Sequence, residues 1–281
     1  MDNNSCFIIG LPGAGKTTFL AALWYSINEK TSNTLLSLER LTGDQRYLTY
    51  LSEKWSGYEV VSRTNLEQQQ EEIIVLLKSN EKEIFEVTLP DLSGEEFQKQ
   101  YINREMKQSI YEFIFSTNNF LLFINPINLI CPTLISSICE EDRIGEDEHT
   151  SREPSKDPTE VQLVEILQFV HEVKNNIRYN INIVISAWDV IETKYDKPEV
   201  YVKTQLPLLW QFICSNNTLW NAKYFGVSAQ GGEISEDNPG EILSEKYDNP
   251  LDRILVIDNE GNHSNDITLP IHYLFNNENG G

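Results

Sequence analysis

Near its start the chain reads "GLPGAGKTTFLAALW", Gly10 to Trp24, in which Gly10 is followed after four residues by Gly15, Lys16 and Thr17. That is the spacing of a phosphate-binding loop. Gly10, Gly13 and Gly15 permit backbone turns and close approaches that a side chain would obstruct. The stretch Pro12, Gly13, Ala14, Gly15, Lys16, Thr17 and Thr18 would then wrap phosphate oxygens, its amides turned inward at the start of the following helix. The Lys16 ammonium would reach the β- and γ-phosphates, and the Thr17 hydroxyl would ligate Mg²⁺. The flanks agree with this reading. "CFIIG" before the loop is an apolar run suited to a buried strand, and "TTFLAALWYSI" after it continues as an amphipathic helix. A glycine turn that binds nothing does not require that order of strand, loop and helix.

Further residues bear on which nucleotide is held and what happens to it. "DLSG", Asp91 to Gly94, follows a β-rich run. An Asp at that strand end can hold Mg²⁺ through water, and the Gly94 amide can touch a γ-phosphate. As a bare pattern DxxG is also what turns use. "SAWD", Ser186 to Asp189, ends another apolar run, where the Asp189 carboxylate could accept from guanine N1–H and the exocyclic amine together. "SAQ", Ser228 to Gln230, ends the next, and there a backbone amide at Ser228–Ala229 could meet guanine O6. Thr64 is the favoured second hydroxyl ligand of Mg²⁺, with Thr42 and Thr49 as competitors. Arg63 beside it could neutralise charge on the γ-phosphate. Glu95 follows "DLSG" and is the candidate group at the attacking water. Its carboxylate could act as a base, yet it also repels the phosphate and cannot donate a hydrogen bond. Phosphoryl transfer depends mainly on positioning and charge neutralisation, so hydrolysis is expected to be slow.

Elements must carry these residues to one place. "EEIIVLLKSNEKEIFEVTLPD", 71–91, reads as two strands about the polar turn "SNEK", a hairpin. "NNFLLFINP", "INIVISAWD" and "AKYFGVSAQ" read as buried strands, and "VQLVEILQFVHEV" has helical periodicity. The region 31–63 reads as a helix followed by a mobile connection. "PEVYVKTQLPLLWQFI" reads as a helix kinked at Pro207, and "DRILVID…DITLPIHYLFNN" as a closing helix. Residues 140–160 are highly charged with almost nothing apolar, which predicts a disordered acidic loop. Strands alternating with helices, plus one hairpin, predict a three-layer α/β fold, with a mostly parallel sheet, one antiparallel hairpin strand and helices on both faces. No internal repeat or second core is evident, so 1–281 is read as a single domain.

Composition narrows the partners. With 22 basic against 43 acidic residues the net charge is −21, which disfavours nucleic acid and anionic membranes as main partners. An anionic nucleotide is still accommodated, because loop amides, Lys16 and Mg²⁺ supply a local positive field. The four cysteines form no CxxC pair and the four histidines have no metal-ligand spacing, as expected of a reducing cytosol. "MDNNS" leads at once into the first strand, without room for a signal peptide. The most apolar stretch, 113–138, is broken by asparagines and two prolines and is no membrane span. A cytoplasmic protein is expected.

Taken in order, the motifs resemble the Ras-like GTPases of the translation-factor-related P-loop class. Within that class "GLPGAGKTTFLAALW", "LPDLSGEEF" and "ITLPIHYL" look like the bacterial double-GTPase family, over nearly the whole chain. The resemblance implies GTP and Mg²⁺ as ligands, protein partners encoded nearby, and a role in bacterial conflict, including antiviral defence against phage. Two departures stand out. Ala187 removes the lysine stem that such enzymes lay along the base, and Glu95 stands where they usually place Gln. Two other functions stay open beside a slow GTP-dependent switch: a GTP-locked scaffold without turnover, and a P-loop kinase or ATPase.

Overall fold

The computed structural model describes residues 4–29, 33–42, 45–61, 73–89, 94–132, 153–174, 177–234 and 240–275. The apolar run after Asn4 forms β1 (Ser5–Ile9), buried on both sides. Strands covered on both faces read as continuous apolar runs. β1 lies parallel between β4 (Ile84–Leu89) and β5 (Asn119–Ile124). Two further parallel strands, β6 (Tyr179–Ser186) and β7 (Trp220–Ser228), extend the sheet beyond β5. Side chains alternate between the two faces, as the pleat requires. Ile8, Leu121, Phe123, Val184 and Phe225 enter one core, whereas Phe7, Ile9, Phe120, Leu122, Ile183 and Ile185 enter the other.

Antiparallel strands finish both edges. β3 (Ile73–Ser79) pairs with β4 about a turn in which the Ser79 and Lys82 backbones are hydrogen bonded, and β2 (Leu36–Thr42) pairs with β3. At the other side β8 (Leu255–Ile257) pairs with β7, and β9 (His263–Ser264) with β8. The order is β2-β3-β4-β1-β5-β6-β7-β8-β9 among the described residues. The mostly parallel, doubly covered sheet is as expected, but the single antiparallel hairpin is not the whole of it. Leu255–Ile257 was expected in a closing helix and instead pairs along β7. Helix follows only afterwards.

One face is covered by α1 (Lys16–Asn28), α2 (Gln45–Ser56) and, near the end, Leu269–Phe275, through Phe19, Leu23, Trp55 and Ile271. The other carries α3 (Glu95–Asn103), α4 (Gln108–Ser116), α5 (Thr159–Val173), α6 (Pro198–Gln205) and α7 (Pro207–Ser215), through Phe97, Ile110, Leu167, Val202 and Leu209. A short α8 (Glu241–Lys246) precedes β8, which makes Leu269–Phe275 α9. Pro207 does more than kink its helix. Leu206, at φ −131° and ψ 56°, breaks it, and Pro207 opens α7 at the first position, where its missing N–H costs nothing. The region 31–63 holds both β2 and α2. Of the expected acidic loop, positions 140–152 lie outside the described residues. Its end is ordered: Pro154–Lys156 form a 3-10 turn, and buried Glu160 accepts from the Leu208 N–H. Among the described residues no helix is long and apolar enough to cross a membrane.

The turn that follows β6 depends on one side chain. Trp188 is 1 % exposed, meets Tyr201 edge-on at 6.3 Å and fills the space a Cβ on Gly226 would need. Trp188→Ala is expected to cost about 3–5 kcal/mol in urea unfolding, because a full indole is lost from a closed core. Gly226→Ala should cost about 1–3 kcal/mol by overpacking against the same ring. A loss below about 1 kcal/mol in both would show that this packing does not hold the turn.

Candidate nucleotide site

The loop after β1 turns through Gly10 to Gly15 and delivers Lys16 as the first residue of α1. Ala14 N–H bonds the Leu11 carbonyl at 3.2 Å, and Phe19 N–H bonds Gly15 O at 3.0 Å, closing the first helical turn. Gly15 is the N-cap at φ 90°, a conformation that side chains resist. No side chain caps α1, so the loop end keeps its amides for an anion. Lys16 is buried at 3 % exposure, its ammonium donating to Gly10 O at 2.7 Å and Leu11 O at 3.1 Å. Thr17 and Thr18 stand partly exposed in the same helical turn, beside partly exposed Pro12, exposed Gly13 and buried Ala14.

Three other segments arrive at this loop. The first is Gly94, the N-cap of α3 at φ 74°. A Cβ there would lie 2.5 Å from Gly10 O and 2.6 Å from both the Leu11 carbonyl carbon and Lys16 Nζ. Only glycine fits between the loop and α3. The second is the end of β6. A Cβ on Gly15 would lie 2.7 Å from Ser186 Cβ and Oγ, and the Ser186 hydroxyl donates to Ile124 O at 3.3 Å. Ala187 then turns with φ 46°, which sends Trp188 inward and leaves Asp189 partly exposed in the 3-10 turn Trp188–Val190. The third is the turn after β5, where Asn125 Nδ2 donates to Gly13 O at 2.9 Å and Asn128 Nδ2 to the same oxygen at 3.2 Å. Asn125 also accepts from Ile127 N–H at 2.9 Å, fixing its own turn.

At the end of β7, Ser228 is buried and its hydroxyl accepts from Gly231 N–H at 3.1 Å. The Ala229 carbonyl accepts from Trp55 Nε1 at 2.9 Å. The Lys246 ammonium is held above its usual pKa, first by its hydrogen bond to Tyr247 and then by the charges of Glu192 and Asp189. Glu95, the first residue of α3, has a side chain 54 % exposed, with its carboxylate 3.9 Å from Lys99 Nζ. Of the predicted residues, Lys16, Gly94 and the neighbours of Ser186 thus come together, Glu95 points along its own helix, and Ser228–Ala229 form the loop after β7. Arg63, Thr64 and Asp91 lie outside the described residues. Thr42 ends the edge strand β2, and Thr49 lies on α2.

Sequence reasoning missed Asn125, Asn128, Trp55 and a buried Arg253 behind the last loop. "NNFLLFINP" was read as a buried strand only, and no spacing linked its end to a loop 112 residues away. The residue types suit a hydrated magnesium ion: a threonine hydroxyl is a hard oxygen ligand of the kind Mg²⁺ takes beside substrate phosphates. Lys16 offers the fixed positive charge those phosphates need.

The model of the family described as Double-GTPase 1 matches residues 7–274. No curated protein matches the chain. Among solved structures it is similar to the S. cerevisiae Ski7 GTPase-like domain bound to GTP, at 14 % identity and a TM-score of 0.43, covering 86 % of this chain and 48 % of that one. It is also similar to the signal recognition particle receptor SRb-GTP/SRX complex from Chaetomium thermophilum, at 14 % identity and a TM-score of 0.40, covering 86 % and 96 %. The chain therefore spans about half the length of the Ski7 chain.

The asparagine brace can be tested without any ligand. Asn125→Ala and Asn128→Ala should each cost about 0.5–1.5 kcal/mol in urea unfolding. The pair together should also speed amide exchange at Gly13–Lys16 while leaving β5 and β6 protected. Unchanged exchange in the loop would mean that the two amides do not order it.

Proposed function

The chain belongs to the Double-GTPase 1 family, and from that premise we propose that it is a single GTPase-like domain that binds GTP with Mg²⁺, hydrolyses it slowly and switches protein partners. The observation that carries this reading is the meeting of three motifs on one loop: the buried Lys16, Gly94 packed on Gly10 and Lys16, and Ser186 packed on Gly15. In the proposal Pro12 to Thr18 wrap the phosphates, Lys16 neutralises their charge, and Asp189 with Ser228–Ala229 reads guanine. Thr17, Thr64 and Asp91 would hold Mg²⁺, which supplies charge neutralisation when bound. Arg63 and Glu95 are the proposed groups near the γ-phosphate. The antiparallel β3–β4 pair between the loop and Gly94 favours this class over a P-loop kinase or ATPase. The partners are proposed to be proteins encoded nearby, in a bacterial conflict or anti-phage setting, with the chain acting in the cytoplasm.

Support for a switch comes from the seat of α3. Gly94 packs so closely on the loop that a Cβ on it would meet Gly10 O and Lys16 Nζ, so in the proposal a phosphate that reaches that ammonium also meets Gly94 and the start of the helix it caps. Farther along α3, Gln100 is 2 % exposed, and neither atom of its amide has a hydrogen-bond partner among the described residues. A buried unpaired amide marks a seat that is not fully satisfied, as suits an element with two positions. The exposed, lysine-facing Glu95 favours the scaffold reading instead, because its carboxylate is turned along the helix.

Lys16→Ala should abolish tight Mg²⁺-GTP binding in calorimetry, since a charge-assisted contact to phosphate is removed. Binding within a few-fold of wild type would overturn the phosphate assignment. The wild type should prefer GTP to ATP, and Asp189→Asn should shift that preference toward xanthosine triphosphate, whose 2-oxo group accepts from an amide. Single-turnover hydrolysis separates switch from scaffold. If Glu95 only repels the γ-phosphate, Glu95→Gln should speed the step. A large slowing would make Glu95 the catalytic residue, and no turnover in either protein would favour the scaffold.

A further inference from the structure

Behind the loop after β7 lies a charged group that phosphate and base contacts leave unexplained. Arg253 is 2 % exposed, and its guanidinium carbon lies 4.0 Å from the Trp55 ring centre and 4.4 Å from that of Tyr58. Its Nη2 donates to the Trp55 carbonyl, whereas Nε and Nη1 have no hydrogen-bond partner among the described residues. Burial pulls its pKa down to about 10, opposed by Tyr58 and Tyr25, so it stays charged at neutral pH. A buried cation with unpaired N–H groups is costly, and two aromatic faces offset only part of that cost.

What the stack holds is the carbonyl of Ala229. Trp55 is 1 % exposed, pinned by Arg253 on one side and by Tyr25 of α1 at 5.3 Å, and its Nε1 donates to Ala229 O at 2.9 Å. Arg253 also supports the loop directly. A Cβ on Gly231 would lie 2.6 Å from Arg253 Cβ and 2.8 Å from its carbonyl oxygen. On the inner side the Ser228 hydroxyl accepts from Gly231 N–H. Tyr58 extends the same corner, its hydroxyl donating to Tyr247 O at 2.6 Å, next to Lys246. The Ala229 carbonyl shares its peptide plane with the Gln230 N–H, so the indole fixes that plane, and with the Ser228–Gly231 hydrogen bond closing the turn the Ala229 N–H, in the preceding plane, is restrained by the turn as a whole.

We propose that Trp55 is a positioning residue for base recognition, its indole N–H fixing the Ala229–Gln230 peptide and through it the turn that presents the Ala229 N–H, with Arg253 holding the indole in place. The inference rests on the reading of Ser228–Ala229 as the loop that meets guanine. It adds that purine discrimination depends on a helix between α1 and β3 that carries none of the nucleotide motifs.

Trp55→Phe keeps an aromatic face for Arg253 and removes the donor. Replacing the indole by a benzothiophene keeps the shape as well and has no N–H, which guards against loss of folding. Calorimetry would compare Mg²⁺ complexes of GTP, ATP and tripolyphosphate, the last having no base. Loss of one neutral hydrogen bond predicts a roughly five- to tenfold weaker GTP complex. ATP and tripolyphosphate should stay within about twofold, so that the GTP-to-ATP ratio collapses by the same factor. An equal fall for all three ligands, or no fall for GTP, overturns the role of Trp55. A wild type that binds ATP and GTP equally overturns the guanine reading itself, and this inference with it.

Discussion

A buried ammonium needs partners, and the loop that follows β1 is arranged to give it some. Lys16 sits almost out of water with its charge on two carbonyls of its own loop. Burying a cation away from such oxygens would be prohibitive, so the loop has to keep the shape that aims Gly10 O and Leu11 O inward. At Gly15 and at Gly94 that shape leaves no room for a side chain. Gly94 approaches from α3 and Ser186 closes on Gly15 from β6, each at or beyond the end of a strand held in the sheet by its pairings. The parallel core of the sheet is therefore the positioning device: it brings loops from distant parts of the chain to one point.

That point was legible in the sequence where its chemistry is contiguous. Gly10 to Thr17 is one unbroken stretch whose spacing reports its backbone, and the strands that carry it are apolar runs with little ambiguity. Position at a strand end was enough to single out Gly94, which packs against that loop. Less legible were groups that act through the backbone of another segment. Asn125 and Asn128 hold a carbonyl 112 and 115 residues away, and Trp55 one 174 residues away. A carbonyl is the same at every residue, so no motif announces which one an amide or indole will find. Arg253 misled by type, since arginine is ordinarily a surface residue. Only the aromatic pair that encloses it makes its burial intelligible.

The errors in the fold have a similar origin. β2 is an edge strand in which Leu36 alone is fully buried, and its short alternation is interrupted at the bulge between Leu38 and Arg40, which leaves little of the pattern that identifies strands with one wet and one dry face. β8 is three residues long and gains its identity from the pairing with β7. In both cases the partner decides and the local composition does not. Pro207 was read correctly as a disturbance, but whether a proline bends a helix or opens a new one depends on the residue before it, here Leu206 in an extended φ.

The place of β1 in the sheet has a further consequence, for synthesis. It is made before both of its neighbours, which are β4 at Glu86–Thr88 and β5 at Asn119–Leu122. At about 5–20 residues per second, the strand that bears the glycine loop waits on the order of ten seconds before its second edge can be covered. Through that interval an apolar segment stays without its native pairing, while the β3–β4 hairpin can form from local contacts as soon as it emerges. The glycine loop at the end of β1 thus acquires its surroundings well after it is made, and the nascent chain is open there to misassociation and to chaperone capture.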